Sequence, residues 1–544
     1  MEPLVAPLWA PLAAHLLSPR AASAVVGYGT SPTRYSFAGT HMRRAQENLQ
    51  ITDIGDDPVT GTKRVMVVDH AMHMPDYPTS EHRFHIPNSY MASAGNEFKT
   101  TTDIIIHKAS VKVMDEAGIS GTWYPIPGLP MTITPSMDGG WLPALPSSVP
   151  VPANAKLILR YAYELPTLNG NIAVFPLHSW RWFSYGDTME GHTGANLATA
   201  LSRVPTSGTS QTALANNSGR WLPASMCVAK GGDGRPAFII IGDSNGYPGF
   251  SDTIQDGFTD RGEWGYLNVG LDDNATSKRL AFANICVVGQ GYAGYQSRSR
   301  WQIVANAVKY ISDTYGYWPF DEVLDEMVEN SLTASAVTDI VPYQQLLKTE
   351  WGKPVIKVQS LNRVSSSSDQ YATVAGQTVD SVHTYPTGGQ WLLNVALEPG
   401  GSLRTAGLVD DTFAPWKYEC ADPLTNDRDV LAVYTFVTTQ NNAITRHPST
   451  FQLDHKPTVG AALVVAGCSG YAHVRTVIGS SSPYTVTGYA PNGFTSPSGG
   501  TAPATVGSVV REVAHGDGLH PSSAHHRYVL SAAMIAYKIA RGWV

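Results

Sequence analysis

Phe238-Ile239-Ile240-Ile241 is an unbroken apolar run that stops at Gly242-Asp243-Ser244. A run this short and this apolar predicts a buried strand, and the glycine at its end admits a sharp turn. The pattern recurs downstream. Ile285-Cys286-Val287-Val288, Val323 to Val328 and Pro354 to Val358 read as further strands. Between them, Trp301, Val304, Val308 and Ile311 mark one face of a helix, and a second helix is expected over 340–350. Strands alternating with helices imply parallel βαβ units, hence an α/β domain. A last helix is expected over 522–541, with Tyr528, Val529, Ala532, Ala533, Ala536 and Ile539 as its apolar face.

The rest of the chain has a different texture. From 31 to 232 short apolar or alternating runs, such as Ile104 to Val113 and Leu157 to Tyr163, are split by proline-rich spacers such as Pro143 to Pro152. That pattern predicts a β-sandwich or jelly-roll-like domain. Residues 1–30 read as an arm, and 421–509 as a β-rich insertion carrying strands at Ala461 to Val465 and Ala472 to Ile478. The α/β domain is then split into 236–420 and 510–544.

At 544 residues with 43% hydrophobic content, the chain is long enough for two or three cored domains. A net charge of −7 and the absence of any long Lys/Arg run exclude the electrostatic footprint of a nucleic-acid binder. No apolar run is long enough for a transmembrane helix. The apolar stretch Leu4 to Leu17 precedes Ala21-Ala22-Ser23-Ala24, but Glu2 and Arg20 sit where a signal peptide disfavours them. Cys227, Cys286, Cys420 and Cys468 form no Cys-x-x-Cys pair, so zinc is not indicated; two disulfides or buried thiols both fit.

A serine at a strand end needs a base and oxyanion donors before it is a nucleophile. Near the C-terminus, His515-Gly516-Asp517-Gly518-Leu519-His520-Pro521 places Asp517 three residues before His520 on a glycine-rich loop. A carboxylate at that spacing can orient one imidazole nitrogen while the other faces the serine. His525-His526 reads as surface, and the acidic cluster Asp321, Glu322, Asp325 and Glu326 as a solvated strand rim. His70 and His73 have no third ligand at metal-site spacing.

With these blocks in order, the chain resembles the SGNH/GDSL hydrolase family over about 236–420 and 510–544. The blocks are Gly242-Asp243-Ser244, Gly289-Gln290-Gly291-Tyr292-Ala293-Gly294, Val328-Glu329-Asn330-Ser331 and Asp517-Gly518-Leu519-His520-Pro521. The resemblance implies a three-layer α/β/α domain around a parallel sheet. It implies Ser244 as nucleophile, His520 as general base and acid, and Asp517 as its orienting carboxylate. It implies an oxyanion hole from the N–H groups of Ser244 and Gly294 and the Asn330 amide. The third block departs from the family's Gly-x-Asn-Asp at Val328 and Ser331, which leaves Asn362 as the alternative amide.

The expected activity is a serine esterase acting on small acyl esters, such as O-acetyl groups on a polysaccharide. The 13 Trp and 25 Tyr supply surfaces for sugar stacking. No cofactor or metal is implied. The alternative is a structural or receptor-binding component of a phage particle or cell surface, and the chain is expected to be extracellular or virion-associated, with homo-oligomer or virion assembly possible.

Overall fold

The computed structural model describes residues 29–38, 47–50, 64–91, 97–117, 120–166, 171–174, 188–193, 197–210, 214, 224–246, 265–273, 278–287, 289–361, 363–364, 366–369, 371–418, 430–437, 449–466, 471–489, 506–513 and 521–543. The expected arm lies outside these apart from Gly29 and Thr30, as do Cys420 and Cys468. Cys227 and Cys286 are buried and form no disulfide.

In the N-terminal half, residues 31–37, 226–231, 79–86 and 140–141 form one antiparallel sheet in that spatial order. A second runs 188–193, 64–73, 156–165, 104–114, 121–125, with 131–133 also on 104–114. Inward residues of both, among them Phe84, Val228, Val68, Leu159 and Tyr161, bury one common core. Alternation along each strand sets this face. On the other face of the larger sheet, Arg160 and Asp69 stand directly opposite each other in register. They form a buried two-pronged ion pair, with both contacts at 2.6 Å.

The second half is built on five parallel strands: β1 (Phe238–Ile241), β2 (Phe282–Asn284), β3 (Glu322–Asp325), β4 (Val355–Val358) and β5 (Asp411–Phe413). Their spatial order is β2-β1-β3-β4-β5. Six helical segments matter below: α1 (Tyr266–Leu271), α2 (Tyr292–Tyr295), α3 (Gln302–Tyr315), α4 (Val341–Trp351), α5 (Gly389–Leu397) and α6 (Ser531–Ala540). Ile239, Ile241, Val323 and Val355 pack with α3, α4 and α5 on one face of the sheet. Phe238, Ile240, Leu324 and Ile356 pack with α1 and α6 on the other. The Trp301, Val304, Val308 and Ile311 face is fully buried.

The two halves share a core. Trp141 Nε1 donates to the Ala307 carbonyl of α3 at 3.1 Å, and Phe37 stacks on Phe320 at 5.9 Å. Asp321 accepts from the Gly29 N–H at 3.0 Å and the Ala237 N–H at 2.9 Å, tying the entrance to the N-terminal sheets to the start of β1.

Between β5 and α6 lies a six-stranded antiparallel sheet in the order 430–435, 509–513, 462–465, 472–478, 484–489, 449–453. A bridge between Phe436 and Leu453 links its last strand to its first, so among the described residues the sheet curls into a barrel. Its strand Val509–Val513 extends past the boundary read from the sequence. Ala524 packs into the barrel core, and its N–H donates to the Gly460 carbonyl at 3.1 Å.

Other sequence expectations change, among them the strand read at Ile285–Val288, which lies at Phe282–Asn284. The acidic cluster is not a solvated rim: Asp321, Glu322, Asp325 and Glu326 are all buried, because they accept backbone and side-chain hydrogen bonds at the strand ends. His525 and His526 are buried too, and the His526 ring stacks on Tyr266 at 5.6 Å. The face of the last helix is rotated. A π turn over His526–Leu530 adds a residue to one turn. Leu530, Ala533, Met534 and Lys538 are therefore buried, whereas Ile539 is 49% exposed.

Candidate active site

Ser244 sits in the turn at the C-terminal end of β1, where the strand order reverses between β2 and β3. Crevices at such a switch point are where open parallel sheets bind ligands. Ser244 is buried. Buried hydrogen bonds hold the chain on both sides of it. Asp243 Oδ1 accepts the Asn245 N–H at 3.0 Å and Oδ2 accepts the Glu329 N–H at 2.9 Å. One carboxylate thus joins the serine turn to the segment that carries Asn330. Burial raises the Asp243 pKa to about 6; the Asn245 N–H pulls it down and the Glu329 charge pushes it up.

Asn330 lies in a single 3-10 turn, Glu329–Ser331. Val328, where the resembled family has glycine, adopts φ −136° and ψ −59°, outside the main α and β regions. Asn330 Nδ2 donates one bond to the Gln290 carbonyl at 2.9 Å, fastening this turn to the loop after β2. Gly291 is required there, because a Cβ would sit 1.9 Å from Ser331 Oγ. Gly294 was expected to offer its N–H to an oxyanion. It donates to the Gly291 carbonyl at 3.0 Å instead, closing the short α2 turn.

The loop after β2 has another donor. The Ile285 and Val287 N–H groups donate to Ile240 and Gly242 at 2.8 and 2.9 Å. Gly289 is the next residue on that alternation, and its φ of +72° suits glycine. Among the described residues no hydrogen bond engages its N–H.

The C-terminal block is seen only through its flanks. Asp517 and His520 lie outside the described residues, as does Asn362. Upstream, the buried Val513 ends a barrel strand. Downstream, His526 Nδ1 accepts the Tyr266 N–H at 3.0 Å. From α1, Asn268 Oδ1 accepts from Asn284 Nδ2, which also donates to the Gly246 carbonyl at 2.9 Å. Helix α1 thus carries two polar ties, Asn268 toward the serine turn and the Tyr266 N–H toward His526, six residues past His520.

Residues to which the sequence assigns no role in the site complete the surroundings. Glu326 Oε2 accepts the N–H groups of Asp243 and Gly246, each at 3.0 Å. Lys357 is fully buried; its Nζ contacts Asp325 Oδ1 at 3.1 Å and donates to the Met327 carbonyl at 3.0 Å. Glu329 accepts from Ser360 Oγ at 2.9 Å and meets His383 Nε2 at 3.4 Å, while His383 Nδ1 contacts Asp380 at 2.6 Å. Burial opposes the imidazolium, but Glu329 and Asp380 outweigh it and hold the His383 pKa above the usual value. Asp380-x-x-His383 has the spacing of the C-terminal block, yet both of its ring nitrogens face carboxylates, so it is no free base. His70 and His73 are buried within a strand of the larger sandwich sheet.

No protein-family model matches the chain, and no curated protein matches it. Among solved structures the chain is similar to a salicylyl-acyltransferase from a tetracycline biosynthetic pathway, at 12% identity over 66% of this chain and 75% of that one, with a TM-score of 0.22. It is also similar to a family two carbohydrate esterase from Cellvibrio japonicus, at 10% identity over 54% and 81%, with a TM-score of 0.17. A third is an acetyl xylan esterase from the rumen bacterium Butyrivibrio proteoclasticus, at 8% identity over 53% and 80%, with a TM-score of 0.19. Likeness at this level carries no chemical argument, and function is argued from the site itself.

Proposed function

We propose that the chain is a serine ester hydrolase of the SGNH type, with a three-layer α/β/α catalytic domain, a β-sandwich companion and an inserted barrel. The observation that carries this reading is the Asp243 carboxylate, which ties the Ser244 turn to the Asn330 turn at the switch point of the sheet. Ser244 Oγ attacks the ester carbonyl and passes its proton to His520, which Asp517 orients. The C–O bond then breaks and His520 returns the proton to the leaving alcohol. Water repeats the sequence on the acyl-enzyme and releases the acid and Ser244. The oxyanion donors are the Ser244 N–H, the second Asn330 amide hydrogen and, in place of Gly294, the Gly289 N–H.

The proposed substrate is a small acyl ester, an O-acetyl group on a carbohydrate. Tyr385 supports this choice. It is 43% exposed and packs edge-to-face with Trp391 at 4.8 Å. Its loop is fastened beside Asn330 through His383 and Glu329. An exposed, braced aromatic ring is suited to stack on a sugar.

Ser244→Ala assayed on p-nitrophenyl acetate tests the reading. Activity is expected to fall to the buffer rate. Wild type and variant being equally inert would overturn it.

A further inference from the structure

Ser244 can attack only if its main chain is held still, and the structure shows what holds it. Glu326 follows β3, and its own N–H donates to the Ile241 carbonyl at 2.7 Å, which fixes its backbone beside the end of β1. Its Oε2 then accepts two N–H groups that bracket the serine, Asp243 before it and Gly246 two residues after it. The approach is so close that neither neighbouring glycine tolerates a side chain. A Cβ at Gly242 would lie 2.6 Å from Oε2, and one at Gly246 would lie 2.8 Å from both Oε2 and Cys286 Sγ.

We infer that Glu326 is the positioning residue of the nucleophile, its single oxygen clamping the turn on both sides of Ser244. This rests on the esterase reading above. The groups around it are Asp243, Glu329, Lys357, Tyr266 and Cys286. Burial, then the Asp243 charge, push the Glu326 carboxyl well above the usual range. The carbonyl oxygen of a neutral carboxyl still accepts both N–H groups, less strongly than a carboxylate does, and it adds no negative charge where an oxyanion must form. An amide of the same shape therefore does the same work.

Three variants in the full chain test this. Glu326→Gln keeps the acceptor and is expected to retain wild-type kcat and pH profile on p-nitrophenyl acetate. Glu326→Ala removes the clamp, and Glu326→Asp withdraws it by one methylene. Each is expected to lower kcat about 10²-fold, the scale of a 1 Å misplacement, with KM little changed. Hydrogen–deuterium exchange of the 238–246 segment is expected to rise in the Ala and Asp variants and to stay protected in Gln. Equal loss in Gln and Ala, or wild-type kcat in Ala and Asp, would overturn the clamp. If Ala does not fold, the Asp and Gln comparison decides. If wild type itself is inert, the esterase reading fails, and the exchange comparison still decides whether Glu326 holds the turn.

Discussion

Asp243 and Glu329 are 86 residues apart, yet the Glu329 N–H donates to Asp243 Oδ2 at 2.9 Å inside the core. The Ser244 turn and the Asn330 turn, the proposed nucleophile and oxyanion turns, are therefore one mechanical unit. Asp243→Ala breaks this bond and the one from Asn245. A buried hydrogen bond to a charged group contributes about 1.5–3 kcal/mol, and the loss is expected both in thermal stability and in kcat. Calorimetry and p-nitrophenyl acetate kinetics check it; an Ala variant with wild-type kcat would separate the two turns.

Asn330 is expected to act through its amide. Asn330→Ala should raise the barrier by about 2.7–4 kcal/mol, a 10²–10³-fold loss in kcat. Gly291→Ala should approach that loss indirectly, since its Cβ meets Ser331 Oγ at 1.9 Å and displaces the turn. Steady-state kinetics on one ester measures both.

Glu322 gives a pH signature unrelated to the site. Burial raises its pKa to about 7, with Arg541 partly offsetting this. The folded state holds this proton more tightly than the unfolded state, so stability from this group falls as pH rises from about 4.5 to 7. The melting temperature of Glu322→Gln relative to wild type is expected to climb across that window and then level. Parallel pH curves would refute it.

His383 has the same sign. Its raised pKa means that its contribution is complete below the ordinary histidine range and is lost as pH rises through the folded value. Glu329 and Asp380 are the two charges it bridges. Amide exchange of the 380–389 loop is expected to rise, after correction for intrinsic rate, as His383 deprotonates. In His383→Gln the loop should be loose and pH-independent.

Trp141 tests the joint between the halves. It donates to Ala307, stacks on Tyr310 at 6.4 Å and is 6% exposed. Trp141→Ala should cost about 3–5 kcal/mol. Scanning calorimetry is expected to show a lower or split transition; an unchanged single transition would mean the joint is not rigid.

Much of this was legible in the residues themselves. The apolar run 238–241 marks a buried strand, Val355, Ile356 and Val358 mark another around Lys357, and the 3.6-residue spacing of Trp301, Val304, Val308 and Ile311 marks a helix face; these are local signals. The Gly242-Asp243-Ser244 turn was equally plain. The π turn at His526–Leu530 was not, because one extra residue per turn leaves no trace in composition.

What only the tertiary structure decided is pairing across long sequence distances. A carboxylate at a strand end looks solvated in sequence. Whether Glu326 is bare or holds two N–H groups depends on how closely β1 approaches β3. Whether Gly294 or Gly289 has an N–H to spare depends on where the short α2 turn closes. The chain by itself determined which groups can do chemistry; the order β2-β1-β3 decided which of them meet, because hydrogen bonds and burial act through space over a few ångströms and not along the sequence.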